Sequence, residues 1–386
     1  MRSHSYINTA QNILAQYDGV HPFANWLKVF FKGQKKFGSK DRREIGNLCY
    51  SYFRLGKAFR DRSIEEQLLI GLFLSGSGSS FILYELRPDW NDRIGQTIKE
   101  KLAYLDAQDE FEAVFPFGKY LGSEIDKNTF AFSFFIQPSL FLRIRPGKQG
   151  TVIKKLREAS IHFKLISDDC IEIENGTKIE ELLAIDKDVV IQDDSSQRVI
   201  EPLKNVISPD DLIESWDCCA ASGGKSILLK DAFPKAYLTV SDIRASILHN
   251  LRNRFQRAGI MHYQHMVADL TQSRFALDRT FDVILCDAPC TGSGTWSRTP
   301  EQLFYFDAEK ISYYASLQKR IAETASWFLK KGGYFLYSTC SVFQQENEEV
   351  VNFIETTTQL KLVEAKYIKG YHHRADTLYA ALCCLG

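Results

Sequence analysis

The run Asp217-Cys218-Cys219-Ala220-Ala221-Ser222-Gly223-Gly224-Lys225 leaves an apolar strand predicted over 213–218 and passes through small residues into a helix. Small residues at such a junction let a ligand lie close to backbone N–H groups at the helix N-terminus, so the run reads as a cofactor loop. Gly223-Gly224-Lys225-Ser226 has the tail of a triphosphate loop, but the earlier glycine would fall at 219, where Cys stands. A nucleoside triphosphate is therefore disfavoured. Outward from this loop, strands predicted at 236–242, 265–267, 281–287, 334–337, 361–367 and 377–382 alternate with helices of ordinary length. That alternation predicts an α/β fold with a parallel, doubly wound sheet and an antiparallel strand at its end.

In such a sheet ligands bind beyond the carboxyl ends of the strands. Asp242 ends the second strand, where a carboxylate can accept from both ribose hydroxyls, and Asp269 follows the third, beside an expected adenine. Singly, each aspartate reads more readily as a helix cap or turn residue. With Asp217, three at successive strand ends point to a nucleoside-bearing cofactor.

The remaining sequence frames this domain. The chain has 386 residues, 45% of them apolar, enough for cores in two or three domains. Residues 5–74 show helical spacing, as in Ile45, Leu48, Cys49, Tyr52 and Phe53, and end in a Ser/Gly joint at 75–80; a helical domain is expected over 1–127. Residues 128–204 predict a small α+β unit, and residues 205–386 the doubly wound domain. Net charge is zero, yet residues 1–62 carry 12 basic and 4 acidic side chains, and residues 141–164 carry 7 and 1. Each basic patch suits docking on phosphates and equally suits a solvated helix face; Arg143, Arg145, Lys154 and Lys155 are the candidates in the second. The first twenty residues hold no apolar leader core, and no apolar run is long enough to span a membrane, so a cytoplasmic protein is expected. Nine cysteines, with no C-x-x-C or H-x-x-x-H spacing, read as free thiols, and no metal is expected.

Two of those thiols sit in separate loops, each directly after a predicted strand: Cys290 in Asp287-Ala288-Pro289-Cys290 and Cys340 in Ser338-Thr339-Cys340-Ser341. Carbon 5 of a cytosine is a poor nucleophile until something adds to carbon 6, and a thiolate is suited to add there and leave again. One thiol can attack while a second helps the product off. Asp287 and the backbone after Pro289 can hydrogen-bond the polar edge of a base swung out of its stack. Cys218, Cys286, Cys383 and Cys384 lie in apolar strands and read as core.

The motifs Asp217–Lys225, Asp287-Ala288-Pro289-Cys290-Thr291-Gly292-Ser293-Gly294, and Tyr337–Ser341 followed by Glu346-Asn347-Glu348 resemble the signatures of the RsmB/Nop2/Sun (Fmu/Sun) family of RNA cytosine-5 methyltransferases. The resemblance extends to Gln192–Ser196, Arg298, Pro300 and Gln318, covering roughly 137–386. More weakly, Lys40-Asp41-Arg42 with Leu48, Tyr50 and Arg54 is similar to the NusB-like helical domain of bacterial members. It implies a Rossmann-like catalytic domain, a small RNA-recognition-motif-like domain before it, S-adenosylmethionine as methyl donor, and RNA as substrate, ribosomal RNA first. By motif position Cys340 is the nucleophile, Cys290 assists release with Asp287 beside it, and Cys219, Ala220, Ala221, Ser222, Gly223, Gly224, Lys225, Asp242, Asp269 and Asp287 hold the donor. A monomer is expected. Ser222 departs from the family's usual proline, which loosens a turn without removing a backbone donor. Trp296, bulkier than expected, stacks on a base or packs on the sheet. Transfer RNA as substrate, and an assembly factor that grips RNA without turnover, are the alternative readings.

Overall fold

The computed structural model describes residues 2–34, 36–272 and 275–386, and the chain divides into two compact units. One comprises 1–119, 126–137 and 295–308. It is helical, and its helices Ser39–Arg54 and Ile64–Ser75 lie unusually close because residue 71 is glycine: a Cβ there would stand 2.4 Å from the Ser51 carbonyl oxygen. Tyr17, Phe23 and Phe53 meet edge to face in its core. Buried aromatic pairs of this kind add about 1 kcal/mol each beyond the area they cover. The late segment 295–308 joins the same core through Glu301, which accepts from the Phe23 amide at 3.2 Å, and through Tyr305, which donates to the Tyr17 carbonyl. Trp296 is fully buried beside Phe115, Phe117 and Phe306. It is therefore neither a base-stacking residue nor part of the sheet packing, and its size is explained by an aromatic core built from two distant stretches of chain.

The second unit comprises 120–125, 138–294 and 309–386 and contains two sheets. The smaller is formed by β1 (Leu140–Ile144), β2 (Phe163–Leu165), β3 (Cys170–Ile173) and β4 (Val189–Ile191), in the order β2-β3-β1-β4 with antiparallel pairings. Helix Gln149–Glu158 turns Val152 and Leu156 onto Leu142, Ile144, Ile171 and Ile173. Arg143 and Arg145 do not face solvent: the Arg143 side chain is 2% exposed and that of Arg145 12%, and both bind Asp231. These two arginines of the basic stretch pin β1 to helix Gly224–Ala232, which carries Asp231. A buried guanidinium costs several kcal/mol to desolvate unless it is paired, which fixes this geometry. Of the four basic candidates, only Lys154 and Lys155 present much of their side chains to water.

The larger sheet follows the predicted alternation. Its strands are β5 (Glu214–Asp217), β6 (Tyr237–Asp242), β7 (Tyr263–Val267), β8 (Phe281–Asp287), β9 (Leu329–Thr339), β10 (Leu360–Lys369) and β11 (Thr377–Leu385), in the order β10-β11-β9-β8-β5-β6-β7. Strands β7, β6, β5, β8 and β9 run parallel; β11 is inserted antiparallel between β9 and β10. Leu238, Val240, Val283, Leu285 and Leu336 point into a core closed by Ile227, Leu251 and Phe255 from the flanking helices. The chain order reverses beside β5, so the loops after β5 and β8 open on a shared crevice.

Candidate functional site

A cavity of about 480 Å³ lies beyond the carboxyl ends of β5, β6, β7, β8 and β9. Its walls include Cys219 and Ala221 after β5, Asp242 at the end of β6, Asp269 after β7, Cys290 after β8 and Cys340 after β9. The loop after β5 is shaped by its backbone. Ala221 has φ +45° and Gly223 φ +82°, both in the left-handed region. A Cβ at Gly223 would lie 2.8 Å from the Phe255 ring, so glycine is required there for space as well as for angle. The Ala220 amide donates to the Ser241 carbonyl at 2.8 Å, and the Ala221 amide to Asp242 Oδ2 at 3.0 Å. Ser222 accepts from Arg254 through both its carbonyl and Oγ, and Arg254 in turn pairs with buried Asp186. The serine in place of the family's proline is thus tied down by an arginine. Ala220, Ser222, Gly223, Gly224 and Lys225 shape this loop from behind the cavity wall, whereas Cys219 and Ala221 stand on it.

The acidic residues have distinct surroundings. Asp242 Oδ1 accepts from the amide and Nε of Arg244 at 2.9 and 3.0 Å, so any ligand hydroxyl there shares an already engaged carboxylate. Asp269 accepts from the amide and hydroxyl of Thr271, which hold its carboxyl below the usual range. Asp287 accepts from Lys225 Nζ at 2.7 Å and from Ser338 Oγ at 3.0 Å. Burial works against the Lys225 charge, but Asp287 outweighs it and lifts the lysine above its ordinary value. Asp217 is buried, with Oδ2 accepting from Ser226 at 2.6 Å and Oδ1 unpartnered; burial pushes its carboxyl up to about 7.

The two cysteine loops meet. Cys290 Sγ and Cys340 Sγ are 3.3 Å apart at the cavity wall. The contact with Cys340, followed by burial, raises the Cys290 thiol well above its usual value, so Cys290 keeps its proton. Beneath them Glu346, fully buried, accepts from the Thr291 amide at 2.9 Å, Thr291 Oγ1 at 2.5 Å, Ser341 Oγ at 2.6 Å and Gln318 Nε2 at 2.9 Å. Burial raises its carboxyl even so. Gln318 Nε2 also donates to the Pro289 carbonyl at 2.9 Å. Asn347 accepts from Thr339 Oγ1 and donates to the Ser341 carbonyl. The Gly294 amide reaches the Cys340 carbonyl at 2.9 Å, an approach open only to glycine because a Cβ would sit 1.9 Å from the Thr377 oxygen. One buried carboxylate thus braces the residues that follow both cysteines. Sequence motifs include Glu346 and Gln318 but do not reveal this task, because Glu346 stands among Gln344, Gln345, Asn347, Glu348 and Glu349 and nothing local marks it as the buried acid.

A nucleoside-bearing group fits the cavity. Its size falls within the range of small-ligand sites. Ala221 and the acid after β6 offer close backbone approach and hydroxyl-accepting oxygens, while Ile243, Leu270, Leu317 and Ile321 provide apolar wall for a flat base. A second set of sulfurs lies close by: Cys218, Cys219 and Cys286 have their Sγ atoms within 4.8 Å of one another. Hydrogen bonds from Cys218, then Cys219, hold the Cys286 thiol down to about 6.

The sheet order, the small-residue loop after its first strand and the acid after its second define a Rossmann-like methyltransferase fold with a mixed sheet. Residues 204–379 match the family model for 16S rRNA methyltransferase RsmB/F. The chain is 33% identical over 178 residues to ribosomal RNA small subunit methyltransferase B of Yersinia enterocolitica, covering 46% of this chain and 40% of that protein. It is 30% identical over 221 residues to the protein of the same name from Xanthomonas campestris, covering 56% and 49%. The matched region spans less than half the length of these relatives. Among solved structures, the protein PH0851 superposes with a TM-score of 0.71 at 19% identity, over 94% of this chain and 95% of that one. NSun6 from Pyrococcus horikoshii, crystallised with SFG, gives 0.59 at 15% identity, over 67% and 94%. These structural likenesses establish the fold. No described helix is long and apolar enough to cross a membrane.

Proposed function

We propose that this protein transfers a methyl group from S-adenosylmethionine to carbon 5 of a cytidine in ribosomal RNA, acting as a cytoplasmic monomer. The observation that carries the reading is the pair of sulfurs 3.3 Å apart, Cys290 and Cys340, on the wall of a cavity that Ala221 and Asp242 also line. The donor, when bound, supplies an electrophilic methyl group. Cys219, Ala221, Asp242 and Asp269 would hold it, with Ala220, Ser222, Gly223, Gly224 and Lys225 keeping the loop in shape.

The chain's own residues do the rest. The Cys340 thiolate adds to carbon 6, the 5,6 double bond opens and electron density appears at carbon 5. After methylation, loss of the carbon-5 proton returns those electrons to the ring and expels the sulfur. Cys290 gives its proton to the departing Cys340 sulfur, 3.3 Å away, and takes up the carbon-5 proton in its place. Asp287, braced by Lys225 and Ser338, presents a fixed acceptor edge towards a base taken out of its stack. The small sheet, whose order β2-β3-β1-β4 is that of an RNA-recognition motif, supports RNA as the partner.

The test uses labelled adenosylmethionine with ribosomal RNA and, separately, transfer RNA as substrates. Label recovered as 5-methylcytidine from ribosomal RNA is expected. Label only in transfer RNA would move the substrate, and absence of adenosylmethionine binding by calorimetry would end the proposal.

A further inference from the structure

Three cysteines that take no part in the bond changes proposed above, one of them the donor-facing Cys219, lie together at the ends of two neighbouring strands. Strands β5 and β8 are parallel partners with Trp216 opposite Ile284 and Asp217 opposite Leu285. The next residues on each, Cys218 and Cys286, therefore fall side by side, and the Cys218 amide bonds to the Leu285 carbonyl at 3.0 Å. Cys219 begins the turn out of β5 and completes a triangle, all three Sγ atoms lying within 4.8 Å of one another. Along the chain these residues have no ligand spacing, since Cys286 lies 67 positions after Cys219. The sheet supplies what the linear pattern lacks.

We propose that Cys218, Cys219 and Cys286 form a three-thiolate site for a thiophilic d10 cation of the zinc(II) or copper(I) class, open to the cavity on one side. Metal–thiolate bonds of about 2.3 Å place the sulfurs of one ion about 3.8 Å apart at the tetrahedral angle, so this triangle has to close by at most about 1 Å. All-sulfur ligation selects soft ions over magnesium or calcium. Cys286 is wholly buried and Cys218 nearly so, whereas Cys219 is partly exposed, and Cys218 and Cys219 line the cavity. An ion can enter from that side, and a fourth position stays available to water. Asp217 and Asp287 both act electrostatically on the cluster, Asp287 while paired with Lys225 at 2.7 Å. Loading displaces the thiol protons to solvent, so affinity rises with pH. The inference does not rest on the methyl-transfer reading.

The experiment is a cadmium titration of the full chain carrying Cys290→Ser and Cys340→Ser, which removes the other close sulfur pair. One equivalent of Cd2+ should raise an ultraviolet thiolate-to-metal band with the intensity of three thiolates, and added Zn2+ or Cu+ should displace it. Adding Cys286→Val should weaken binding at least thirtyfold, and Cys219→Ala, at the cavity wall, should do the same without touching the strand interior. Absence of the band in the double serine variant, or its persistence in both the Cys286→Val and the Cys219→Ala variant, would overturn the site.

Discussion

The loop after β5 and the two loops after β8 and β9 face the same cavity, but they are held in opposite ways. The first keeps its shape by backbone geometry: Ala221 and Gly223 in the left-handed region, with amides donating to Ser241 and Asp242. The cysteine loops are held by side chains converging on one buried carboxylate, Glu346. A loop fixed by its backbone can change composition where φ allows, and Ser222 shows as much. Loops sharing one acceptor depend on a single residue, and they move together when it is lost.

The largest expected effect tests the thiol side directly. Cys340→Ala should abolish methylation, whereas Cys290→Ala should leave attack intact and accumulate a covalent protein–RNA adduct on a denaturing gel. An adduct from the Cys340 variant instead would exchange the two roles. Next, Glu346→Ala strands buried donors from Thr291, Ser341 and Gln318, and should cost about 2–4 kcal/mol in denaturant unfolding. Glu346→Gln should recover part of that, because an amide oxygen still accepts; equal losses in both would show that charge, not acceptance, holds the loops.

A third effect concerns pH. Asp217 is raised to about 7 when folded and lies near 4 unfolded, so the folded chain binds the extra proton. Its contribution is therefore fully present below about pH 4 and is lost as pH rises towards 7, by an amount of order a few kcal/mol. Asp217→Asn should flatten that slope in unfolding measured across this window; an unchanged slope would place the titration elsewhere. On the backbone side, Gly223→Ala meets both an unfavourable φ and the Phe255 ring, and should cost about 1–3 kcal/mol. Smallest is Asp242→Ala, expected to weaken adenosylmethionine about tenfold by calorimetry while leaving the cysteine loops in place. Unchanged affinity would remove Asp242 from donor binding.

The larger sheet was legible because buried parallel strands carry continuous apolar runs, and all seven predicted strands occur, β8 with the predicted ends and β9 extended at both. The cysteines, Asp242 and Asp269 were legible because strand ends place them beyond the sheet, and all line one cavity. Charge was misleading at Arg143 and Arg145. Composition cannot distinguish an arginine facing phosphate from one facing Asp231, whose helix begins some eighty residues later. Trp296 and the cluster of Cys218, Cys219 and Cys286 escaped for a related reason, since both are assembled by residues distant along the chain. Local periodicity carries no record of which strands become neighbours.

Strand β11 enters the sheet last in sequence yet lies between β9 and β10, and the carbonyl of Thr377, its first residue, presses against Gly294 in the Cys290 loop. On the ribosome, β9 therefore waits with an open edge until residues 377–385 have emerged, an interval in which partner strands from elsewhere can invade. The reactive sulfurs acquire their final setting only after that strand is seated.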